Sequence, residues 1–186
     1  MNLLSGARRC EYSETHIEIL DSLLAIDVLK AIRTSKNYAD TFMLYSDPEL
    51  TKKAAAAFVD RFGEDYAGII ATREFAMPLA MNISMEYRQR GKRVTPYLLE
   101  SEYQGGINPM FEANGNRKVV VVRDLIQSGS HIQEVLDHHI PEIGAEPSVV
   151  LTILDNDAEP QRRFLAEVLE KYSPEVRMVA LTRASR

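Results

Sequence analysis

Apolar positions recur along the chain with two different periods, and their order predicts an α/β fold. Four short, mainly apolar runs predict strands: 67–71, 118–122, 148–154 and 175–181. Between them, apolar residues at helical spacing predict helices over 76–90 and 161–172. A further strand is predicted from Arg93 to Leu99, and Pro96 restricts it to a sheet edge or a bulge.

Two polar segments have the composition of helix starts. Thr15-His16-Ile17-Glu18 has the form of a capping box, which predicts a helix that begins near Ile19. Asp155-Asn156-Asp157 follows a predicted strand and suits the N-cap of the next helix.

The alternation of strands and helices predicts an open, mostly parallel twisted sheet of about five strands, flanked by helices. Ligands of such sheets bind outside the carboxyl ends of the strands. The segments that follow the predicted strands are therefore the candidates for a site: 72–75, 100–116, 123–131 and 155–160.

Composition and charge narrow the possible partners. The chain has 186 residues, of which 45% are hydrophobic and 26% charged, as in ordinary single-domain proteins. A net charge of -5 argues against duplex nucleic acid as the main partner. Cys10 is the only cysteine, which excludes an internal disulfide and a cysteine-rich zinc site. Because no apolar run spans a bilayer and the N-terminus lacks a signal peptide's order, we expect a soluble, cytoplasmic protein with no membrane partner.

The strongest chemical signal lies between Val119 and His131. A buried strand ends at the carboxylate of Asp124, and the small polar turn Gln127-Ser128-Gly129-Ser130 then opens a helix. Free amides at a helix start favour an anion, and a nearby carboxylate can accept hydrogen bonds from sugar hydroxyls. The pattern predicts a ribose phosphate site, although an ordinary helix cap has the same composition.

The same segment resembles the phosphoribosyl-pyrophosphate motif of type I phosphoribosyltransferases, and the order of elements resembles the orotate enzymes most. That motif has four apolar residues, two acids, two apolar residues and a Thr-Thr-Gly-Gly-Ser-like turn. The resemblance implies that Asp124 is catalytic and orients the ribose hydroxyls. It also implies that the 5′-phosphate is held by five residues: Gln127, Ser128, Gly129, Ser130 and His131.

The resemblance extends to other parts of the chain. Ala71 to Ala80 is similar to the family's pyrophosphate loop and the following helix, which implies pyrophosphate contacts from Thr72, Arg73 and Glu74. Arg73 is equally well explained as a solvated loop base. Thr34-Ser35-Lys36 is a faint match to a Ser-Gly-Lys segment of the family's N-terminal hood, so Lys36 is a further candidate.

The family resemblance also implies a domain organisation and an oligomeric state. We expect residues 1–45 to form the hood and 46–186 to form the α/β core of a single domain. We also expect a homodimer.

The sequence departs from the family at two places. The loop at 100–116 lacks the family's basic residues, and Arg123 stands where the motif has its first acid. An arginine there repels Mg²⁺ and attracts a phosphate, or else it pairs with Glu74 or another acid. Bound Mg²⁺ is therefore doubtful, and we predict no protein-held metal site, because the histidines lack further ligands at suitable spacing.

Two functions remain open on this basis. One is a divergent transferase that moves a ribose 5-phosphate group from phosphoribosyl pyrophosphate to a nucleobase, in nucleotide metabolism. The other is a catalytically inactive regulatory protein that binds phosphoribosyl pyrophosphate or a nucleoside monophosphate on the same fold.

Overall fold

A computed structural model describes most of the chain. The described residues are 17–35, 38–99, 115–127, 129–156, 167–168, 170–172 and 175–184.

A six-stranded sheet forms the centre of the molecule, and every neighbouring pair of its strands is parallel. Its strands are β1 (Glu18–Ile19), β4 (Gly68–Ala71), β5 (Thr95–Leu98), β6 (Lys118–Ile126), β7 (Glu146–Asn156) and β8 (Arg177–Ala184). Their order across the sheet is β1-β8-β7-β6-β4-β5. A separate antiparallel pair consists of β2 (Arg33–Ser35) and β3 (Tyr38–Asp40). The predicted open parallel sheet is confirmed, with six strands rather than about five.

Helices cover both faces of this sheet. They are α1 (Ser22–Ala31), α2 (Pro48–Arg61), α3 (Met77–Gln89), α4 (Ser130–Glu134) and α5 (Ile140–Glu142), with a π-helical turn over Val135–His139 and 3₁₀ turns over Thr41–Ser46 and Glu74–Ala76. No helix in the described ranges is long and apolar enough to cross a membrane.

The strands have apolar side chains on both faces, and each face contributes to its own core cluster. Val120 and Val122 of β6 belong to the cluster that contains the buried residues of α1, α2 and α3. Val119 and Val121 belong to the other cluster, together with Ile132 and the rest of the apolar side of α4 and α5. The nearly continuous valine run of β6 is therefore the expected composition for a strand covered on both sides.

Three details of the sequence prediction are wrong. The strand predicted to end at residue 122 runs on to Ile126, because its last residues pair with the long strand β7. Glu18 and Ile19 pair with β8 instead of opening a helix. Helix α1 begins later, where the side chain of Asp21 accepts hydrogen bonds from two backbone amides. Asp155 and Asn156 lie inside β7, so neither caps a helix.

Candidate functional site

The chain connections of the sheet diverge at one pair of neighbouring strands. β4 continues through α3 to β5 on one side, whereas β6 continues through α4 and α5 to β7 on the other side. β4 and β6 pair only as far as Ala71 and Val122, and β6 then extends four residues further beside β7 alone. Such a point of divergence leaves a crevice at the carboxyl edge, which is where open α/β sheets bind ligands.

A cavity of about 280 Å³ lies at this place. Its wall combines the turn after β4, the last residues of β6 and the beginning of α4: Arg73, Arg123, Asp124, Leu125, Ile126, Gln127, Gly129, His131 and Ile132. The charged side chains of the wall are two guanidinium groups and one carboxylate. Because positive charge exceeds negative charge, the cavity favours an anion.

Arg123 is buried in this wall and held in place by the neighbouring backbone. Only 9% of its surface is exposed. Its Nε donates to the carbonyl of Leu125 at 2.8 Å, and its Nη1 donates to the hydroxyl of Thr72 at 3.4 Å. Burial lowers the pKa of Arg123, Asp124 opposes that shift and Arg73 adds to it. An arginine remains protonated in proteins, so a positive charge is fixed here.

Two polar atoms of the cavity wall are buried without a hydrogen-bond partner in the described part of the chain. They are Oδ1 of Asp124 and Nδ1 of His131. Glu134 lies 3.7 Å from that nitrogen. Burial, followed by the charge of Arg123, lowers the pKa of His131, so the imidazole is neutral at neutral pH. Unpartnered buried polar atoms are rare in native proteins, and a cavity that has two of them is suited to a polar ligand.

Gly129 shapes the loop between β6 and α4. Its φ of 81° lies in the left-handed region, which costs other residues free energy. Its carbonyl accepts the amide of Gln133 at 2.9 Å and so ties the loop to the first helical turn. The glycine therefore allows the backbone to turn sharply at the cavity wall.

The turn after β4 brings Arg73 to the cavity. The amide of Thr72 donates to Val122 of β6 at 3.0 Å, and the amide of Ala76 closes the turn on the carbonyl of Arg73 at 3.0 Å. The hydroxyl of Tyr45 donates to the carbonyl of Phe75 at 2.7 Å and supports the turn from outside. The pKa of Tyr45 is raised mainly by burial, with a contribution from Asp124.

Most of the site residues expected from the sequence come together around the cavity. Arg73, Arg123 and Asp124 line it, together with Gln127, Gly129 and His131 of the expected phosphate loop. Thr72 does not line the cavity, but its hydroxyl accepts a hydrogen bond from Arg123, which does. Lys36 and Ser128 lie outside the described residues, as does most of the loop at 100–116.

The remaining expected residues lie beside the cavity. Ser130 is exposed at the start of α4, and Glu74 is exposed and absent from the cavity wall. Arg123 forms no ion pair with Glu74 or with any other described carboxylate. The interpretation of Arg123 as the partner of an acid is therefore wrong for the part of the chain that the structure describes.

Sequence reasoning missed four contributors. Tyr45 is far from the cavity residues in sequence and supports their turn through a hydrogen bond to the carbonyl of Phe75. Leu125, Ile126 and Ile132 give the wall its apolar part, and none of them was a predicted site residue. The single available signal was the run of apolar residues that flanks Asp124.

Comparison with known proteins agrees with this architecture. No protein-family model matches the chain. The chain is 29% identical over 137 residues to an orotate phosphoribosyltransferase of Halobacterium salinarum, an alignment that covers 72% of this chain and 74% of that protein. Among solved structures, the chain is similar in fold to an adenine phosphoribosyltransferase from Trypanosoma brucei. The TM-score is 0.68 and the identity 18%, over 88% of this chain and 80% of the other. The chain has a type I phosphoribosyltransferase fold.

A second solved structure with this fold belongs to the orotate branch. The orotate phosphoribosyltransferase of Mycobacterium tuberculosis matches with a TM-score of 0.59 and 17% identity, over 87% of each chain. By sequence, the chain therefore resembles orotate phosphoribosyltransferases at 29% identity, as the motif at 119–131 indicated. By fold, it resembles type I phosphoribosyltransferases of both the adenine and the orotate kind.

Proposed function

We propose that this protein binds the ribose 5-phosphate group of phosphoribosyl pyrophosphate or of a nucleotide, and transfers that group to a nucleobase. The observation that carries the proposal is the cavity between β4 and β6. There an unpartnered carboxylate oxygen of Asp124 lies beside two guanidinium groups and a glycine loop. A sugar phosphate offers both hydroxyl donors for the carboxylate and negative charge for the basic wall.

Each part of the site has a role in this proposal. Asp124 accepts hydrogen bonds from the ribose hydroxyls and so orients the sugar for transfer. The loop from Gln127 to His131, including Ser128, Gly129 and Ser130, holds the 5′-phosphate. Arg73, with Thr72 and Glu74 in the same turn, faces the pyrophosphate. Lys36 is a further candidate for that contact.

The related proteins support this assignment. The Halobacterium relative is named for transfer of a phosphoribosyl group to orotate. The Trypanosoma structure contains AMP, pyrophosphate and ribose-5-phosphate, and the Mycobacterium structure contains phosphoribosyl diphosphate. These ligands belong to the compound class that the cavity of this chain suits by charge and by hydrogen-bonding groups.

A second candidate function is binding without transfer. Arg123 favours this second function, because it is a buried arginine at the position where the phosphoribosyl-pyrophosphate motif has its first acid. The loop at 100–116 also lacks the basic residues that stabilise a departing pyrophosphate in the enzymes. Such a protein would hold a nucleoside monophosphate as a regulatory ligand.

One pair of assays separates the two functions. The protein is mixed with phosphoribosyl pyrophosphate, with or without Mg²⁺, and each common nucleobase, and pyrophosphate release is followed. Release clearly above that of an Asp124→Ala variant identifies a transferase. Thermal stabilisation by a nucleoside monophosphate without release identifies a binding protein, since a ligand of the folded state raises its stability. A protein that shows no pyrophosphate release and no thermal stabilisation would contradict the proposal.

The proposal includes assembly as a homodimer. Helix α3 exposes Met81 and Met85, and α1 exposes Leu23, so apolar surface is available for a second copy. Light scattering of the purified protein measures the mass, and a monomer at micromolar concentration would contradict this part of the proposal.

A further inference from the structure

The residues of the cavity do not fit the Mg²⁺ ion that resemblance to phosphoribosyltransferases implies. Magnesium prefers oxygen ligands and is usually held by carboxylates together with substrate phosphates. Asp124 is the only carboxylate in the described cavity wall, and no group of three or more possible metal ligands occurs in the described ranges. The guanidinium groups of Arg73 and Arg123 share this wall and repel a divalent cation.

Arg123 cannot readily move away from the cavity. It is nine-tenths buried, and its two hydrogen bonds to Leu125 and Thr72 fix the guanidinium between β6 and the turn after β4. A flexible surface base would leave room for a metal by swinging into solvent, whereas a side chain held at both Nε and Nη1 has no such freedom.

Arg123 also forms no ion pair with a described carboxylate, although the charge of the adjoining Asp124 acts on it. Both of its recorded partners are neutral oxygens, a carbonyl and a hydroxyl. Charged side chains are almost never buried without a partner, because desolvation of the charge is costly. A buried guanidinium at a cavity wall is therefore ready to pair with an anion that enters the cavity.

We propose that Arg123 supplies the positive charge that a divalent cation would otherwise supply, so that this protein binds a sugar phosphate independently of any metal. The inference rests on the proposed function and specifies its ligand chemistry. The anionic group of the ligand binds the guanidinium directly, and Asp124 contacts only hydroxyl groups. Mg²⁺ then brings no gain in affinity.

Isothermal titration calorimetry with phosphoribosyl pyrophosphate tests this inference. The wild-type protein is titrated in EDTA and again in millimolar Mg²⁺. We expect dissociation constants within about threefold of each other, because one fixed guanidinium serves in both conditions. The wild-type comparison needs no variant, so the test does not depend on how well a substituted protein folds.

Three variants sharpen the test. Arg123→Asp restores the first acid of the motif, and we expect binding in EDTA to fall by about 10- to 100-fold, the range for a lost charge-assisted hydrogen bond, and to recover in Mg²⁺. Arg123→Lys keeps the charge and should remain independent of metal. Arg88→Asp makes the same charge change on the exposed end of α3, away from the cavity, and should leave binding unchanged.

The outcomes separate failure of this inference from failure of the proposed function. Wild-type binding that requires Mg²⁺ would overturn the metal-independent role of Arg123 and leave the proposed function standing. Absence of binding in both conditions would overturn both. An Arg123→Asp variant that folds and still binds equally well in EDTA would also contradict the role of Arg123.

Discussion

The carboxyl edge of the sheet carries two arginine–aspartate combinations that differ in how their charges are satisfied. Asp155 of β7 is 1% exposed, and its Oδ2 accepts from Nε of Arg183 in β8 at 2.7 Å. The same arginine donates to the carbonyl of Ile17 at 2.5 Å. Arg123 and Asp124 adjoin each other in β6, yet the arginine forms no ion pair with a described carboxylate, and one oxygen of the aspartate has no recorded hydrogen bond.

This difference separates a structural charge pair from a binding site. The pair of Asp155 and Arg183 joins β7, β8 and the segment before β1, so each of the two charges has an oppositely charged partner within the protein. The charges of Arg123 and Asp124 face a cavity and keep hydrogen-bonding capacity unused. Because the second combination lines a cavity and forms no ion pair among the described residues, it indicates a ligand.

Removal of Arg183 is expected to have the largest effect on stability. Arg183→Ala leaves Asp155 buried without its charged partner, and breaking a buried ion pair in this way costs about 3–5 kcal/mol. Urea denaturation monitored by circular dichroism measures the change in the free energy of unfolding. A loss below about 1 kcal/mol would show that the pair is not the structural element described here.

Asp124→Asn is expected to weaken ligand binding while leaving the stability of the fold nearly unchanged. The substitution removes a charge that has no ion-pair partner in the described chain, so the free energy of unfolding should change by less than about 1 kcal/mol. Affinity for ribose 5-phosphate should fall by about tenfold or more, because hydrogen bonds to a charged acceptor are lost. Calorimetry measures the affinity, and urea denaturation measures the free energy of unfolding. Equal affinity in the variant and the wild type would contradict the role of this carboxylate.

Gly129→Ala tests the shape of the loop. Alanine in the left-handed region costs about 1–2 kcal/mol, and we expect weaker binding of ribose 5-phosphate in addition. Gly91→Ala is a matched control, because Gly91 has a φ of 77° and open space around a new Cβ. Both variants should lose similar stability in urea denaturation, and only Gly129→Ala should lose affinity. Loss of affinity in both would point to a general effect of strain.

The smallest expected effect concerns the pH dependence that His131 introduces. Its pKa in the folded protein is lowered, whereas the unfolded chain has the ordinary value of about 6.5. The unfolded state therefore binds more protons as the pH falls below 6.5, and the folded protein loses stability until His131 itself is protonated.

A substitution isolates this contribution. We expect the thermal midpoint of the wild type to fall more steeply between pH 7 and pH 5 than that of His131→Gln. Identical slopes would show that burial and the nearby arginines do not lower the pKa of this imidazole in the folded protein. Bound phosphate near His131 should reduce the difference, because a negative charge raises the pKa of the imidazole.

Much of the fold was predictable because local patterns and tertiary structure agree. The valine run of β6 is hydrophobic enough for a strand covered on both faces, and Pro96 correctly indicated an edge, since β5 ends the sheet. The extension of β6 through Arg123 and Asp124 was not predictable. Charged residues are poor strand formers in isolation, and only pairing with the long strand β7 keeps them extended.

The site was predictable along the motif at 119–131 and, for Arg73, along the turn after β4. Asp124, Gly129 and His131 lie close in sequence, so a local motif was enough to bring them together. Tyr45 reaches the turn after β4 through a hydrogen bond across 30 positions, which no local pattern encodes. Whether Arg123 pairs with a described carboxylate depends equally on which acids the fold brings near it, and that is a property of the three-dimensional structure alone.

A crystal structure of the protein with ribose 5-phosphate tests the central claim most directly. The account predicts the phosphate in the cavity between β4 and β6, within hydrogen-bonding distance of the loop that contains Gly129, and a ribose hydroxyl on Oδ1 of Asp124. A ligand bound elsewhere on the surface, or a cavity filled by the protein's own side chains, would contradict it.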